Sequence, residues 1–500
     1  MTANTDRDPT GIFDVKKSPI LPVPPGTVTE QLKNLRRPTL DLDSVYGNGP
    51  GLDEAYYQPD PGPADAGFYD GIRMRVGTNV LVDLTGQAIP GVRIPDDDDL
   101  ERDLPRIGSL IADGVITEDD LPAEIQGDPK NKTLPFIGDS RNDENLILAQ
   151  FHLAVLRFHN KVVDAVEADP AAYGVEDATD AEKFACVQRL VRWHYQWLVV
   201  NDYLPTVTMP GMVDKVLLGG NKFYEPLAGG ELFAPLEYSV AAFRFGHTMV
   251  RGAYDHNRNF GVTVPPSVPP RVATFAQLFQ FTGNGHVIDA DDITKSTHNP
   301  FRNSATLPFN WIIEWDRMVD KNDSNEAHFA RKIDTRLVAP IHNMVNRGVE
   351  PEFQDDAGKP IRQLLRSLAQ RNLLRGYLLS IPTGQAMATA MGIDPLTPEE
   401  IKQDNSDAVN AALEAGGFDQ NSPLWFYILK EAEIREDGNS LGELGSRIVV
   451  ETQIGIMRND PNSYLNADDG PWDPSFGVRL EGGDPIVTIR DFFRFADLAA

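Results

Sequence analysis

Cysteine is almost missing from this sequence, since Cys186 is the only one among 500 residues. A single thiol cannot form an intramolecular disulfide, and it cannot build a thiolate metal cluster. Any metal centre in this chain must therefore use histidine, carboxylate or a macrocycle as its ligand.

Long apolar runs are missing as well, because no stretch approaches the ~18 uninterrupted apolar residues that a membrane-spanning helix needs. The first residues have neither a basic start followed by an apolar block nor a small-residue cleavage site, so they predict no Sec-type signal peptide. We expect no integral membrane segment and a cytoplasmic location. Export through a C-terminal signal is the alternative.

Positive charge is in short supply. Lys and Arg number 46 against 74 Asp and Glu, which gives a formal net charge of -28. Such a charge opposes binding to nucleic acid or anionic lipid, so we expect no nucleic-acid partner. With 41% apolar residues the chain is typical of a globular protein large enough to bury a substantial core.

Helical periodicity dominates the chain and predicts a mainly α fold with long loops and a few short strands. Residues 1–35 are rich in Pro and Gly and predict an extended or disordered arm, while 36–500 are expected to form one large domain. Short strands such as 73–82 are expected within 50–137. The predicted helices include 140–169, 180–203, 364–379, 424–434 and 446–458.

A histidine interrupts an apolar helical stripe in the stretch 238–259, formed by Val240, Phe243, His247 and Val250. A buried imidazole must satisfy its ring nitrogens, either through hydrogen bonds in the core or through a metal on one nitrogen. Gly246 favours the metal, because a glycine inside a helix costs roughly 1 kcal/mol relative to Ala and is typical of close approach by a flat or bulky group.

The start of the 140–169 helix carries a charged pair. Ser140 and Asp143 form a capping-box pattern, which puts Arg141 and Glu144 on one face of the first turn. On its own the pair indicates a surface ion pair worth well under 1 kcal/mol, and a functional role needs further evidence.

Two other patterns are candidates for chemistry. Asn372 lies in an otherwise apolar row of the 364–379 helix, so it needs a hydrogen-bond partner from another element or within its own core. Asp41 and Asp43 alternate with leucines, a spacing that allows two carboxylates to bind a hard cation but is also typical of a polar strand edge.

Five motifs resemble the animal-type haem peroxidase superfamily: FRFGH at 243–247, GDSRNDEN at 138–145, FHLAVLRFHN at 151–160, TLDLDSVYG at 39–47 and LAQRNLLRG at 368–376. The resemblance covers roughly 36–458. It implies a helical haem peroxidase domain that binds haem b, with His247 as the proximal ligand of the iron.

The resemblance also implies roles for the other candidates. Asn372 would accept the Nδ1 hydrogen of His247, and Arg375 would pair with a haem propionate. Arg141 would be the distal arginine, and Glu144 would be the carboxylate that forms an ester with the haem. The FHLAVLRFHN motif also contains four residues that we interpret as packing and hydrogen-bonding groups and not as catalysts: His152, Arg157, His159 and Asn160.

Calcium is a further implication. Asp41 and Asp43 match positions that supply calcium ligands in several family members, whereas Arg37 stands where the family often has a hydroxyl ligand. A guanidinium there would take the place of the ion, so both outcomes remain open.

The implied reaction uses hydrogen peroxide to oxidise small organic or halide donors, with a small-molecule or lipid reductant as partner. The family's distal histidine lies upstream of the TLDLDS motif, yet the first histidine here is His152. The sequence could begin after that motif, the lineage could have lost it, or another group could carry protons. We therefore expect weak peroxidase activity. The rivals are a haem-binding protein without turnover and a fatty-acid dioxygenase or hydroperoxide-converting enzyme. The dioxygenase is disfavoured because no tyrosine lies between 285 and 320.

Overall fold

A computed structural model describes much of the chain. The described residues are 20–32, 37–51, 53–58, 71–79, 100–123, 125–127, 132–257, 273–279, 282, 306–307, 309–320, 322–323, 325, 328–344, 354–356 and 358–500. Within them the fold is mainly α, as predicted. The chain divides into two compact units, each made of three segments of the sequence.

The first unit comprises Met1–Leu40, Gln196–Arg251 and Ala330–Pro471. Its innermost helices, Leu424–Arg435 and Glu443–Asn459, are buried along most of their length, which is typical of helices inside a core. Both were predicted and are confirmed. The other helices of this unit are Pro25–Gln31, Leu204–Val207, Met212–Gly219, Ala339–His342, Lys359–Arg366, Leu368–Leu378, Gly384–Ala390, Pro398–Lys402 and Asp407–Gly416.

The second unit comprises Asp41–Tyr195, Gly252–Phe329 and Trp472–Ala500. Its helices are Asp43–Tyr46, Ile107–Ala112, Leu146–Ala168, most of Asp180–Leu198, Asp316–Val319 and Ile489–Phe495. Stacked aromatic rings hold the terminal helix in place: Phe158 lies 4.1 Å from Phe492 and Trp315 lies 4.0 Å from Phe493 between ring centroids.

Strands are short. Ala253–Tyr254 pairs antiparallel with Ala273–Thr274, with Ala253 opposite Thr274. The strand predicted at 73–82 is wrong for its described part, because residues 71–79 make only isolated bridges, at Met74 and Gly77. Residues 80–82 lie outside the described residues.

The predicted helix 140–169 begins later than expected. Ser140–Asp143 is a turn of 3-10 helix, and the α-helix starts at Leu146 after Asn145, whose side chain accepts a hydrogen bond from the amide of Leu148 at 3.0 Å. The capping box at Ser140 was therefore a wrong prediction, because Asp139 and Asn145 are the residues that cap. The end of the helix at Ala168 agrees with the prediction.

Two other helix predictions were too long. In the 238–259 stretch a π-helix, Glu237–Ala241, passes into a 3-10 helix, Ala242–His247, which ends at the histidine, so Val250 lies beyond it. The predicted 364–379 helix breaks at Ser367, which leaves the helical conformation (ψ 111°) and caps the next helix through its side chain. The 180–203 prediction is confirmed, with Val199–Tyr203 as a π-helical end.

The predicted N-terminal arm is helical in part. Pro25–Gln31 forms a short helix, and its Val28 packs in a buried cluster with Val240 and Leu379. The expectation of an extended segment is wrong there, while residues 1–19 and 33–35 lie outside the described residues. Where the chain is described, none of its helices has the length and apolarity that crossing a membrane requires.

Candidate functional site

Asn372 and His247 are brought together in the first unit. The Asn372 side-chain nitrogen lies 3.0 Å from Nδ1 of His247, although the two residues are far apart in sequence. Asn372 is 1% exposed, so its amide needs such a partner. The prediction that Asn372 would find a partner on another element is confirmed.

The segment before His247 is held from both sides. The Nε of Arg244 donates to the carbonyl of Ser239 at 3.0 Å, which ties the 3-10 helix to the preceding π-helix. The indole of Trp425 donates to the carbonyl of Arg244 at 3.2 Å. A π-helix widens the turn and often occurs at functional sites, and here it sets the position from which the imidazole projects.

The imidazole of His247 is neutral near pH 7. Burial lowers its pKa, and the positive charges of Arg244, Arg371 and Arg375 lower it further, to about 3. A neutral ring is what metal binding requires, because a proton on the ligand nitrogen would compete with the metal. Three guanidinium groups thus lie close enough to His247 to affect its ring.

The orientation of the Asn372 amide decides which ring nitrogen carries the proton. Its Oδ1 accepts from Nη1 of Arg244 at 3.4 Å, so its nitrogen faces Nδ1 of His247 and Nδ1 acts as the acceptor. Iron at Nε2 requires the proton on Nδ1, and then Oδ1 must face the ring. A half-turn of the amide exchanges the two ends without a change of shape.

The residues around His247 fit a haem. Among the described residues, Nε2 of His247 has no hydrogen-bond partner, and the ring keeps part of its surface open. A Cβ built on the neighbouring Gly246 would meet no atom within 4 Å apart from its chain neighbours, so the space on that side of Gly246 is open. The arginine charges match the two propionates of a haem.

Arg141, in the second unit, is held by a residue that the sequence analysis did not identify. Its Nε lies 3.0 Å from Oδ1 of Asp139 and its Nη2 lies 2.6 Å from Oδ2, which is a two-pronged pair. The hydrogen bond to Asp139 raises the pKa of Arg141, and the negative charges of Glu144 and Asp43 act in the same direction. The guanidinium therefore has a fixed direction and a permanent charge.

Buried charged side chains anchor the Ser140–Asp143 turn that carries Arg141. Nη1 of Arg106 donates to Asp143 at 2.7 Å, and Nη2 donates to Asp103 at 2.8 Å, with all three side chains at most 3% exposed. Breaking a pair of this kind typically costs 3–5 kcal/mol, because it leaves an unpaired charge in the interior. Asp143 thus anchors the Arg141 turn and does not cap Ser140.

The remaining candidate residues of the second unit lie on the Leu146–Ala168 helix, and each makes hydrogen bonds. Asn142 lies 2.8 Å from Nδ1 of His152, and burial lowers the pKa of His152 to about 4. His159 bonds to the Ile72 carbonyl at 2.7 Å, Asn160 pairs with both backbone groups of Met74, and Arg157 donates to the Ala496 carbonyl at 3.0 Å. The hydrogen-bonding roles predicted for these four residues are confirmed.

Glu144 follows directly on this turn as its C-cap. Its backbone carbonyl accepts a weak bond from Thr282 at 3.4 Å, and its carboxylate lies close enough to Arg141 to affect the arginine's pKa. The predicted ester to a haem remains a prediction.

Asp41 and Asp43, the two residues predicted as calcium ligands, form a local turn. Oδ1 of Asp41 accepts from the backbone amide of Asp43 at 3.2 Å. In the part of the chain that is described, no group of three or more His, Cys, Asp or Glu could hold a metal ion. Calcium at Asp41 and Asp43 remains a prediction.

Several site residues were missed in the sequence. Asp139 and Arg106 hold the Arg141 turn, and Arg244 and Arg371 flank the imidazole. A signal existed for two of them, since Arg244 lies within FRFGH and Arg371 directly precedes Asn372. No periodicity could have shown that these cations meet at one histidine.

Part of this chain is similar to known proteins. Residues 106–293 match the family model described as animal haem peroxidase. That segment contains Arg141, Glu144 and His247, whereas Asn372 and Arg375 lie outside it.

Two relatives are similar to part of this chain. A peroxidase-like protein of Margaritifera margaritifera is 30% identical over 162 residues, which is 30% of this chain and 19% of the relative. A peroxidasin homolog of Mus musculus is 26% identical over 199 residues, which is 37% of this chain and 13% of the relative. The match thus spans less than a fifth of each relative.

Solved structures show weak similarity. Peroxidase A from Dictyostelium discoideum has a TM-score of 0.48 at 16% identity, over 94% of this chain and 70% of the other. A fatty acid alpha-dioxygenase from Arabidopsis thaliana has a TM-score of 0.38 at 13% identity, over 73% and 55%. Similarity at this level carries no conclusion about activity. For residues 106–293 this chain is therefore similar to the animal haem peroxidases.

Proposed function

We propose that this protein binds haem b through His247 and uses hydrogen peroxide to oxidise small organic or halide donors. One observation carries the proposal: a neutral, part-open imidazole is held through Nδ1 by the buried Asn372, while Nε2 has no partner among the described residues. A half-turn of the Asn372 amide, which brings Oδ1 to the ring, places the imidazole proton on Nδ1 and leaves the lone pair of Nε2 for a metal. The similarity of residues 106–293 to animal haem peroxidases supports the choice of haem.

The first unit supplies the ligand and its support. His247 would hold the haem iron through Nε2, and its Nδ1–H would donate a hydrogen bond to Oδ1 of Asn372, which would fix the plane of the ring. Arg375 would pair with a propionate, as the family resemblance implies, and Arg244 and Arg371 add positive charge. Neutralising two propionates beside three guanidinium groups is favourable in a site with little water.

Arg141 is proposed to assist cleavage of the peroxide O–O bond. Bound haem would supply the iron that takes oxygen from peroxide and passes oxidising equivalents to the donor. Charge that develops on the departing oxygen is stabilised by a guanidinium that cannot lose its proton. The two-pronged contact with Asp139 would keep that guanidinium ordered before peroxide arrives.

Glu144 is proposed as the residue that links the protein to haem covalently, through at most one ester. We also propose a cytoplasmic location, with export as the alternative, and a calcium site at Asp41 and Asp43.

The test is turnover by the haem-loaded protein. Purified protein titrated with haem b should develop a Soret band, which should change on addition of hydrogen peroxide and return when a small phenol or bromide is supplied. A Soret band that peroxide leaves unchanged would identify a haem-binding protein without turnover. Oxygen consumption with a long-chain fatty acid, in the absence of donor turnover, would identify a dioxygenase.

A further inference from the structure

A buried tyrosine in the second unit is hydrogen-bonded to a buried base. The hydroxyl of Tyr46 lies 3.1 Å from Nδ1 of His159, and the ring centroids are 5.5 Å apart. Tyr46 is 1% exposed and His159 is 0% exposed, so bulk water does not reach the contact.

The direction of this hydrogen bond follows from the other side of the imidazole. Nε2 of His159 lies 2.7 Å from the carbonyl of Ile72, and a carbonyl can only accept, so Nε2 carries the proton. Burial lowers the pKa of His159 to about 4, so the ring is neutral near pH 7 and Nδ1 holds a lone pair. The hydroxyl of Tyr46 therefore donates to that lone pair.

A neighbouring tyrosine lacks such a base. The hydroxyl of Tyr57 donates to the backbone carbonyl of Tyr46 at 3.1 Å, and an amide carbonyl is far too weak a base to take the phenol proton. Phe184 packs edge-on against both phenols, at 6.0 Å from Tyr46 and 5.7 Å from Tyr57 between centroids. The two tyrosines thus share Phe184 as a packing partner and differ in the hydrogen-bond acceptor.

We propose that Tyr46 is a redox-active tyrosine, oxidised to a neutral phenoxyl radical with His159 as the proton acceptor. One electron leaves the phenol for a one-electron oxidant, the O–H bond of Tyr46 breaks, and its proton forms an N–H bond at Nδ1 of His159. The products are a phenoxyl radical, an imidazolium and the reduced oxidant. Reduction returns the electron to the oxygen and the proton from Nδ1.

The geometry favours this step over oxidation of an ordinary buried tyrosine. A phenol that loses an electron becomes strongly acidic, and a buried phenol can release its proton only to a base within hydrogen-bond reach. His159 is at that distance, with its own second nitrogen already held by Ile72. Exclusion of water would then protect the radical, so Tyr46 can store one oxidising equivalent inside the protein.

The proposal goes beyond the peroxidase function and does not need haem, because any sufficiently strong one-electron oxidant can start the step. The test therefore uses the full chain without added haem, oxidised by flash-illuminated tris(bipyridine)ruthenium with persulfate. Samples are frozen after the flash and examined by high-field electron paramagnetic resonance. The largest g value of a phenoxyl radical falls when its oxygen accepts a hydrogen bond, here from the imidazolium.

We expect such a hydrogen-bonded phenoxyl signal in the wild type, its loss in Tyr46→Phe and in His159→Gln, and its retention in Tyr57→Phe. Tyr46→Phe removes one oxygen and keeps the packed ring, and circular dichroism checks that each variant folds. The same signal in Tyr46→Phe would overturn the proposal, as would its loss in Tyr57→Phe alone.

A measurement on the wild type decides the question even if a variant fails to fold. With ¹⁵N-labelled histidine, pulsed spectroscopy should detect coupling between the phenoxyl radical and a histidine nitrogen. Absence of that coupling, or of a hydrogen-bonded phenoxyl, contradicts the assignment whether or not the protein is a haem peroxidase.

Discussion

The amide nitrogen of Asn372 lies 3.0 Å from Nδ1 of His247, while its oxygen accepts from Arg244 at 3.4 Å. Iron binding at Nε2 would require the opposite orientation of the amide, with the oxygen on the ring. The orientation of the amide therefore decides which imidazole nitrogen carries the proton, and so whether Nε2 can bind iron. It also decides which end of the amide faces Arg244.

Replacing Asn372 should weaken haem binding without abolishing it. Asn372→Leu removes the acceptor for Nδ1, so we expect a 10- to 100-fold loss of haem affinity, as is typical when the partner of a metal-bound histidine is lost. The spin state seen in the visible spectrum should change. Asn372→Asp keeps an acceptor and should retain haem with a lower reduction potential. Identical spectra and potentials in all three proteins would remove Asn372 from the site.

Only part of this arrangement was predictable from the sequence. An amide in an apolar helical row predicts a buried partner, and the partner found is 125 residues away. Periodicity located the row but not the ends of the helices. It missed the break at Ser367, where a side-chain cap starts a new helix, and the passage from π-helix to 3-10 helix that ends at His247.

The charges around the site were less predictable still. Residues two apart do not face each other on an α-helix, so the pairing of Asp139 with Arg141 was not expected from helical spacing. It exists because that turn is 3-10 and Asp139 precedes it in extended conformation. Arg244 and Arg371 both lie near His247 because of tertiary packing. The periodicity of a single sequence does not predict such packing.

Arg141 should control the reaction with peroxide. We expect Arg141→Ala to slow the change of the Soret band on rapid mixing with peroxide by about 10²–10³-fold, the usual cost of removing a donor that stabilises developing negative charge. Asp139→Asn should slow it less, because the guanidinium stays but is no longer held. Arg494→Ala, at an exposed arginine of the same unit, is the control.

The wild type itself should react slowly if no histidine serves as base. Positioned proton transfer typically contributes 10²–10⁴-fold, and residues 1–151 contain no histidine. A fast reaction would mean that another residue carries the proton, and an Arg141→Ala variant as fast as the wild type would exclude Arg141 from this role.

Glu144 should form at most a partial ester with haem after peroxide treatment. Its carboxylate is close enough to Arg141 for the two charges to interact, which orients it but also competes with reaction at a haem methyl. Acid-acetone extraction followed by intact mass measurement reports the linked fraction. Glu144→Gln should release all of its haem. Complete extraction from the peroxide-treated wild type would make Glu144 an ordinary carboxylate at the start of a helix.

Stability should fall between about pH 5 and 8 because of Glu431. Burial raises its pKa from 4.5 to about 7, although the backbone amides of Leu444 and Gly445 donate to the carboxylate and oppose that rise. The folded state thus holds a proton that the unfolded state has released, so the free energy of unfolding is largest below pH 4.5 and falls as pH rises through 7. The shift corresponds to about 3 kcal/mol.

Glu431→Gln isolates this contribution, because an amide does not titrate in this range. Urea unfolding at pH 5 and pH 8 should show a smaller loss of stability in the variant than in the wild type. The exposed Glu399→Gln serves as the control and should behave like the wild type. Equal losses in the wild type and in Glu431→Gln would mean that Glu431 is already ionised at pH 5.

The proposed haem site depends most on His247 as the iron ligand, and haem titration of His247→Ala tests that role. His342→Ala, an exposed histidine of the same unit, is the matched control. We predict that the wild type and His342→Ala develop a stoichiometric Soret band, that His247→Ala does not, and that added imidazole restores part of the band by occupying the vacated space. A full Soret band in His247→Ala without imidazole would contradict the assignment of His247 as the iron ligand.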